Sequence, residues 1–327
     1  MSETSIPKCE ETILPAAYVR SLVWDGDDLV DWLTGGTRYR LNGETTSGQV
    51  NYGHLLDAAI SSPDCRYSVL YTKLGTKGVI THGTKFIREI NRSYYCAEAY
   101  EYPVAIFRAR NGRYILAHCP NEYCRLELED LITGELLTSK ADRKPPDFFH
   151  SRLAASSDGR YLLSAGWLWH PMDHVRVYDV DTALDDPTHL DGDGLSPDNL
   201  SEESSAAFLG DDRLVVALGV DINDEEPPQL RVHTLSGAAP PIITETNAKL
   251  GNIMPVGETH LLSFYEYPKL IDWRTGAILK TWPHIASGLQ ECAIINEPDI
   301  NPPMALDPAR KRCAIADKEK ITVLAFK

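Results

Sequence analysis

The chain lacks the features of secreted and membrane proteins. Residues 1–20 carry acidic and polar groups where a secretory signal peptide needs a basic start and an unbroken apolar stretch. No later segment approaches the about 18 consecutive apolar residues of a membrane-spanning helix. We therefore expect a cytoplasmic protein that has no membrane span.

Cysteine and basic residues are also scarce. The seven cysteines are odd in number and widely scattered, which favours reduced thiols over a disulfide framework. Only 32 Lys and Arg face 47 Asp and Glu, so the formal net charge is −15. Because such a surface repels phosphate backbones, we do not expect direct nucleic-acid binding.

Catalytic signatures are missing as well. The sequence contains no Gly-x-Ser-x-Gly elbow, no phosphate-binding loop and no dinucleotide fingerprint after a strand. Carboxylates are abundant in residues 181–226, but their number alone does not create the fixed geometry that acid–base catalysis requires. We predict a protein that is not an enzyme and has no cofactor.

Residues 191–202 do not fit the template of a calcium-binding loop either. Asp191, Asp193 and Glu202 occupy its positions 1, 3 and 12, but Leu195 stands where an oxygen donor is needed and Ser196 where glycine is needed. We therefore predict no metal site.

What the chain does contain is a repeat. Each copy has a tight polar turn, an apolar strand, a loop and an alternating strand, most clearly in residues 153–180. Successive turns lie 47 to 53 residues apart. The turns are PDCRY (63–67), NGRY (111–114), SDGRY (157–161), GDDRL (210–214), GETHL (257–261) and ARKRC (309–313), and WDGDDLVDWL (24–33) is a shorter seventh copy. No stretch sustains a helical period for long, so the pattern is typical of an all-β protein.

The repeat resembles that of WD-repeat and related β-propeller families, chiefly through residues 153–180 and 250–282. None of the blades ends in Trp-Asp, so we expect a divergent propeller. The resemblance implies one all-β domain, a seven-bladed β-propeller of four-stranded antiparallel blades, which the N-terminal strand closes by joining the last blade. The expected blades are 17–50, 58–92, 104–140, 152–190, 206–243, 252–283, and 303–327 together with 11–16.

This family geometry sorts the loops onto two faces. With strands A to D counted outward from the channel, the B–C and D–A loops emerge on one face and the A–B and C–D turns on the other. Here the B–C and D–A loops are long and irregular, so we place binding on their face. Tyrosine and tryptophan beside carboxylates are typical of protein-recognition patches, although each ring can instead pack between blades. The aromatic candidates are Tyr123, Trp167, Trp169, Tyr265 and Tyr267.

Most of the net charge lies in residues 181–226. This segment holds fourteen acids and one base, Arg213. Such a concentration of charge attracts a basic partner and speeds its association, although it can also be a solvated loop region that keeps the protein soluble. The acidic candidates for partner binding are Asp191, Asp193, Asp198, Glu202, Glu203, Asp221, Asp224, Glu225 and Glu226.

Three functional hypotheses follow. The first is a non-catalytic propeller, monomeric when unbound, whose acidic and aromatic face binds a basic protein, for instance as an inhibitor or immunity protein of a cationic toxin such as a nuclease. The second is an assembly scaffold with several partners, as in many WD-repeat proteins. The third is a small-molecule hydrolase or lactonase at the channel mouth that uses His170, Asp173 and His174. A channel plugged by apolar side chains would argue against this third hypothesis.

Overall fold

The predicted seven-bladed β-propeller is confirmed. The computed structural model describes residues 6–50, 52, 55–169, 172–194, 202–219, 227–237, 239–295 and 301–327. Its strands form seven antiparallel sheets that follow one another along the chain. The first strands of neighbouring blades contact each other, so strand A of each blade borders the channel. We call the face with the B–C and D–A loops the loop face, and the opposite one the turn face.

The first three blades lie in chain order. Blade 1 consists of β2 (Val23–Asp25), β3 (Asp28–Asp31), β4 (Thr37–Arg40) and β5 (Thr45–Thr46). Blade 2 consists of β6 (Ala58–Ser61), β7 (Tyr67–Tyr71), β8 (Lys77–His82) and β9 (Lys85–Asn91). Blade 3 consists of β10 (Val104–Arg108), β11 (Tyr114–His118) and β12 (Glu127–Asp130), and a single bridge from Glu129 to Leu136 takes the place of a strand D.

The remaining four blades complete the ring. Blade 4 consists of β13 (Phe148–Phe149), β14 (Leu153–Ala155), β15 (Tyr161–Leu168) and β16 (Met172–Asp179). Blade 5 consists of β17 (Glu203–Phe208), β18 (Arg213–Leu218), β19 (Gln229–Thr234) and β20 (Ile242–Glu245). Blade 6 consists of β21 (Ile253–Val256), β22 (His260–Ser263), β23 (Lys269–Asp272) and β24 (Ala277–Thr281). Blade 7 consists of β25 (Met304–Asp307), β26 (Arg312–Ala316), β27 (Lys320–Phe326) and β1 (Cys9–Pro15).

The N-terminal strand closes the ring, as expected. β1 pairs antiparallel with β27 over its whole length, from Cys9 opposite Phe326 to Pro15 opposite Lys320. Leu14 of this strand is buried in a hydrophobic cluster with residues of blades 7 and 1. Comparable clusters lie between the other pairs of neighbouring blades, so the core is divided among the interfaces of the ring.

The tight turns of the repeat fold through their own side chains. In the A–B turn of blade 4, the Ser156 hydroxyl accepts a bond from the Tyr161 amide at 2.9 Å and donates to Asp158 at 2.6 Å. Gly159 of this turn has φ +71°, and a Cβ there would lie 2.0 Å from the Arg108 carbonyl oxygen. The turn therefore requires glycine both for its conformation and for its contact with blade 3.

Blade 4 departs most from the repeat. Its strand A is split into β13 and β14, which both pair with β15. After β16 the chain forms a helix, α1 (Val180–Asp185), and a 3₁₀-helix (Pro187–Asp191), where the other complete blades have strand D. A further 3₁₀-helix in blade 1 covers Trp32–Thr34. None of the helices described here is long and apolar enough to cross a membrane.

Side chains cap the outer edge of β16. The amide of Asp173 donates to Glu202 Oε2 at 2.9 Å, that of Val175 to Glu203 Oε2 at 2.8 Å, and that of Asp179 to His189 Nε2 at 3.1 Å. The three residues are separated by two and four positions, so all three amides point away from β15 in an antiparallel pair. Side-chain acceptors thus replace the carbonyl groups that a neighbouring strand would supply.

Candidate functional site

Five aromatic rings gather on the loop face of blades 3 and 4. Tyr95 comes from the loop between blades 2 and 3, and Tyr123 from the B–C loop of blade 3. Phe149 and Trp167 lie on the paired strands β13 and β15, and Trp169 follows β15. We call Tyr95, Tyr123, Phe149, Trp167 and Trp169 the aromatic cluster.

Most ring pairs of this cluster are stacked, and the pair of Tyr95 and Tyr123 is tilted by 38°. The Phe149 centroid lies 3.8 Å from that of Trp167 and 4.4 Å from that of Tyr123, with interplanar angles of 9° and 26°. Trp169 lies 5.7 Å from Trp167, and Tyr95 lies 4.8 Å from Tyr123. Offset stacking of this kind is a favourable arrangement for aromatic pairs.

Burial divides the cluster into a base and an exposed surface. Phe149 is fully buried and Trp167 is 3% exposed, whereas Tyr95 and Trp169 are 50% and 53% exposed. Tyr94, next in the chain to Tyr95, is 80% exposed. The buried rings therefore hold the exposed rings in a fixed position on the surface.

The loop that carries Tyr95 is itself anchored. The Arg92 guanidinium is buried 4.6 Å from the Tyr100 ring centroid, and it donates to the carbonyls of Ala97 at 2.6 Å and Tyr100 at 3.0 Å. The Tyr100 ring packs edge-to-face on Phe149 at 5.6 Å. This anchoring reduces the conformational entropy that the loop would lose on binding a partner.

Carboxylates border the cluster. Glu98, Glu122 and Asp147 are exposed and lie in the loops that carry the rings. Asp147 accepts a hydrogen bond from the Tyr123 hydroxyl at 2.7 Å. Burial and this bond raise the pKa of Tyr123, so its hydroxyl stays protonated. Within the described part of the chain, none of the three carboxylates forms an ion pair with a lysine or arginine.

The connection between blades 6 and 7 crosses the loop face and reaches this cluster. It leaves blade 6 beside Glu266, which bridges to Gly288. Farther along, the Ala293 amide donates to Asp173 Oδ1 of blade 4 at 3.0 Å, and the Ile295 amide donates to the Ala99 carbonyl at 2.8 Å. The segment thus joins blade 6 to loops on the far side of the channel and lies across its mouth.

This crossing segment is partly apolar. Ala293 is fully buried against Tyr100, Phe149 and Trp167. Asp173, which binds its amide, is also buried, and burial raises the pKa of that carboxyl to about 6.

Of the residues proposed for a hydrolase, the two that the structure describes, Asp173 and His174, do not form a joint site. Asp173 and His174 are consecutive residues of β16, so their side chains leave opposite faces of the sheet. His174 Nδ1 lies 3.0 Å from Glu203 in the interior, while Asp173 binds the crossing segment. His170 lies outside the described residues. Among the residues described, no group of three or more His, Cys, Asp or Glu could hold a metal ion.

The predicted acidic candidates have different surroundings. Asp191 accepts bonds from buried Arg143 at 2.7 Å and from the Lys144 amide at 2.7 Å. Asp193 pairs with Arg176 at 3.1 Å. Glu202 and Glu203 cap the edge of β16, and Glu203 is only 1% exposed. The other candidates lie outside the described residues: Asp198, Asp221, Asp224, Glu225 and Glu226.

The described carboxylates of residues 181–226 lie on both faces of the propeller. Asp181 pairs with Arg110 at the A–B turn of blade 3, on the turn face, and Asp212 binds Ser236 on that face too. Asp191 and Asp193 lie toward the loop face. Residues 181–194 run along the outer edge of blade 4 from one face to the other, so the charges described there are dispersed, and several are neutralised.

The aromatic candidates also separate into groups. Tyr123, Trp167 and Trp169 join the cluster, although Trp167 is buried and supports the exposed rings. Tyr265 and Tyr267 lie in the B–C loop of blade 6, where Lys249 and Lys269 sit 4.4 Å and 4.2 Å from their respective ring centroids. In the described contacts these rings face lysine ammonium groups and touch none of the cluster rings.

Tyr95 and Phe149 were not among the residues predicted from the sequence. Tyr95 lies in the connection between blades 2 and 3, and Phe149 lies on the short strand β13 that follows the connection between blades 3 and 4. The available signals were the consecutive aromatic residues Tyr94 and Tyr95, and Phe148 and Phe149. An aromatic pair in an irregular loop does not show which ring is exposed, because that depends on the neighbouring blade.

Comparison with known proteins places the fold but no family. No protein-family model and no curated protein matches the chain. Among solved structures, the Swd1 β-propeller domain of Myceliophteria thermophila is 11% identical with a TM-score of 0.57, covering 96% of this chain and 99% of that one. Kuenenia stuttgartiensis hydrazine synthase is 13% identical with a TM-score of 0.56, covering 99% and 98%. A streptogramin B lyase is 12% identical with a TM-score of 0.55, covering 98% of each chain.

These similarities support the divergent propeller fold that the repeat predicted. Two of the three structures carry the names of enzymes and the third is named as a propeller domain. The fold by itself therefore does not choose between catalysis and binding.

Proposed function

We propose that this propeller is a non-catalytic protein that binds another protein through the aromatic cluster on its loop face. The observation that carries the proposal is the half-exposed pair Tyr95 and Trp169, which is held in place by the buried rings of Phe149 and Trp167. Rigid exposed aromatic residues supply much of the binding energy of protein interfaces, at a small cost in conformational entropy.

The position of the crossing segment favours binding over catalysis. It lies across the channel mouth, where a propeller enzyme of the hydrolase hypothesis would admit its substrate. Asp173 accepts a hydrogen bond from that segment, and His174 lies beside Glu203 in the interior. Neither residue is in the position of a general base beside an open cleft.

The narrower hypothesis of an inhibitor that attracts a cationic toxin by charge receives less support. It depends on residues 181–226, whose described carboxylates largely pair with the protein's own groups. We therefore place the principal contact at the aromatic cluster. A scaffold with several partners would use the same surface, and the number of partners distinguishes it from an inhibitor.

Site-specific photocrosslinking tests the proposal. Replacing Tyr94 with the photoreactive amino acid benzoylphenylalanine places the probe beside the cluster and conserves an aromatic side chain. We expect irradiation of cells that make the protein to give one or a few discrete protein adducts. The matched control is the same replacement at Phe86, which is 51% exposed near the C–D turn of blade 2 on the turn face. Adducts of equal yield and identity at both positions, or none at position 94, would refute the proposal.

A further inference from the structure

We propose that the aromatic cluster holds an arginine side chain of the protein partner, stacked on the exposed rings of Tyr95 and Trp169. The inference rests on the protein-binding function proposed above and specifies the chemistry that the partner presents.

The spacing of the two exposed rings suits a planar group. Their centroids are 6.5 Å apart and their planes are inclined by 29°. Both rings are half exposed and close together, so one planar side chain can contact the two of them.

The cluster already contains one such arrangement. Phe149 lies between Trp167 and Tyr123, at 3.8 Å and 4.4 Å from their centroids. Tyr95 packs on Tyr123 and Trp169 packs on Trp167, and both outer rings also stack on Phe149, at 5.8 Å and 5.9 Å. Both outer rings are half exposed, so part of each ring is accessible to a side chain of the partner.

The charge of the surroundings selects a cation. The exposed carboxylates of Glu98, Glu122 and Asp147 lie in the loops that carry Tyr95, Tyr123 and Phe149. A guanidinium is both planar and cationic, so it stacks on aromatic faces and pairs with carboxylates, whereas the lysine ammonium has no plane to stack. A nucleobase is planar as well, but these carboxylates and the net charge of −15 disfavour the phosphate backbone that accompanies it.

Binding of short peptides to the full chain tests this inference. The probe is acetyl-Gly-Arg-Gly-amide, and the comparison peptides carry lysine, or citrulline, which keeps the planar shape without the charge. The signal is the NMR resonance of the Trp169 indole N–H, assigned with the Trp169→Phe variant. We expect the arginine peptide to shift this resonance in the millimolar range and to bind about 2- to 5-fold more tightly than either comparison peptide, the range of an exposed cation–π contact.

Two variants form a matched pair for this measurement. Tyr95→Ala removes one of the two exposed rings and should weaken arginine binding by about 2- to 5-fold or more. Tyr94→Ala removes the adjacent, more exposed ring, which has no described contact with the cluster, and should leave the affinity unchanged.

Several results would overturn the inference. They are equal binding of the arginine and lysine peptides, no shift of the Trp169 resonance at any soluble concentration, and a stronger shift with a ten-nucleotide polyuridine than with the arginine peptide. If such a result accompanies discrete protein adducts at position 94, the cluster binds a partner by another group and only the arginine assignment fails. If the adducts are absent as well, the proposed function fails with it.

Discussion

At the scale of single residues, the buried ion pairs have structural roles that the linear charge pattern conceals. The Arg143 side chain is fully buried and contacts Glu127 at 3.2 Å and Asp191 at 2.7 Å. It also donates to the Leu126 carbonyl at 2.9 Å. One guanidinium thus joins blade 3 to the 3₁₀-helix that follows blade 4, and Asp191 is a structural residue in addition to any contact it makes with a partner.

Removing this guanidinium should destabilise the protein strongly. Arg143→Ala leaves Asp191 without its cation and Glu127 with Arg125 alone, and we expect the free energy of unfolding to fall by about 3–5 kcal/mol. Arg40→Ala is the matched control, because Arg40 and Glu44 form an exposed pair at 2.6 Å whose loss should cost less than about 1 kcal/mol. Urea denaturation of both variants measures the difference. Similar losses for the two arginines would contradict the structural role of Arg143.

At the scale of elements, strand β1 shows how burial alternates along a single strand. Leu14 is 2% exposed in the cluster between blades 7 and 1, while its neighbour Ile13 is 54% exposed on the opposite side of the sheet. The two residues have similar size and the same backbone pairing with β27. Substitutions at these two positions therefore distinguish the contribution of core packing to stability from that of strand pairing.

This pair gives a prediction for ring closure. Leu14→Ala should lower the free energy of unfolding by about 2–5 kcal/mol, since it leaves a cavity at the closing interface. Ile13→Ala changes only an exposed surface and should alter it by about 0.5 kcal/mol or less. Thermal unfolding followed by circular dichroism compares the variants with the unchanged chain. If Ile13→Ala is as harmful as Leu14→Ala, packing against blade 1 is not what closes the ring.

Much of the fold could be predicted because its turns are local. The Ser156, Asp158 and Gly159 pattern specifies a tight turn through contacts within six residues, and its copies reveal the period of the blades. Blade 4 could not be predicted in full. Glu202 and Glu203 accept hydrogen bonds that a strand D would otherwise accept, and the donors are amides of β16 nearly thirty residues away. The sequence around these two glutamates does not indicate such distant contacts.

The candidate site was predictable only in part for a similar reason. Tyr123 and Trp169 belong to recognisable irregular loops, so placing them on the loop face required only the order of the strands. Their stacking required Phe149 to lie between neighbouring elements, which no local pattern specifies. Nor does the sequence indicate that the segment around Ala293 crosses to blade 4.

At the scale of the whole molecule, the crossing segment connects parts of the ring that are not neighbours. Its contacts with Asp173 and Ala99 join the blade 6–7 connection to blade 4 and to the blade 2–3 loop.

Buried titratable groups of the propeller also make its stability depend on pH. These groups have opposite effects on stability. Burial raises the pKa of Asp173 from 3.8 to about 6, so the folded protein holds a proton that the unfolded chain releases, and stability falls as pH rises through this interval. Burial lowers the pKa of His118 and of His150 from 6.5 to about 3, so these histidines bind protons only on unfolding, and stability rises with pH between those values.

Replacing Asp173 should therefore make the pH dependence steeper. Between pH 4 and 6 each group contributes about 1.4 kcal/mol per pH unit, and the two histidines outweigh the aspartate. Asp173→Asn keeps an acceptor for the Ala293 amide but removes the titration, so its stability should rise with pH more steeply than that of the unchanged chain by about 1.4 kcal/mol per pH unit. Urea denaturation at several pH values measures both slopes. Parallel slopes would show that Asp173 titrates normally in the folded protein.

The pairing of β1 with β27 also constrains how the protein is made. The ribosome synthesises residues 9–15 before the seven blades and residues 320–326 after the other strands of the propeller. Throughout that interval the earliest segment has no partner within its own sheet, and the edge of blade 1 that packs on blade 7 stays open to solvent. We therefore expect nascent chains halted before β27 to need chaperones and to be more sensitive to proteases than the released protein.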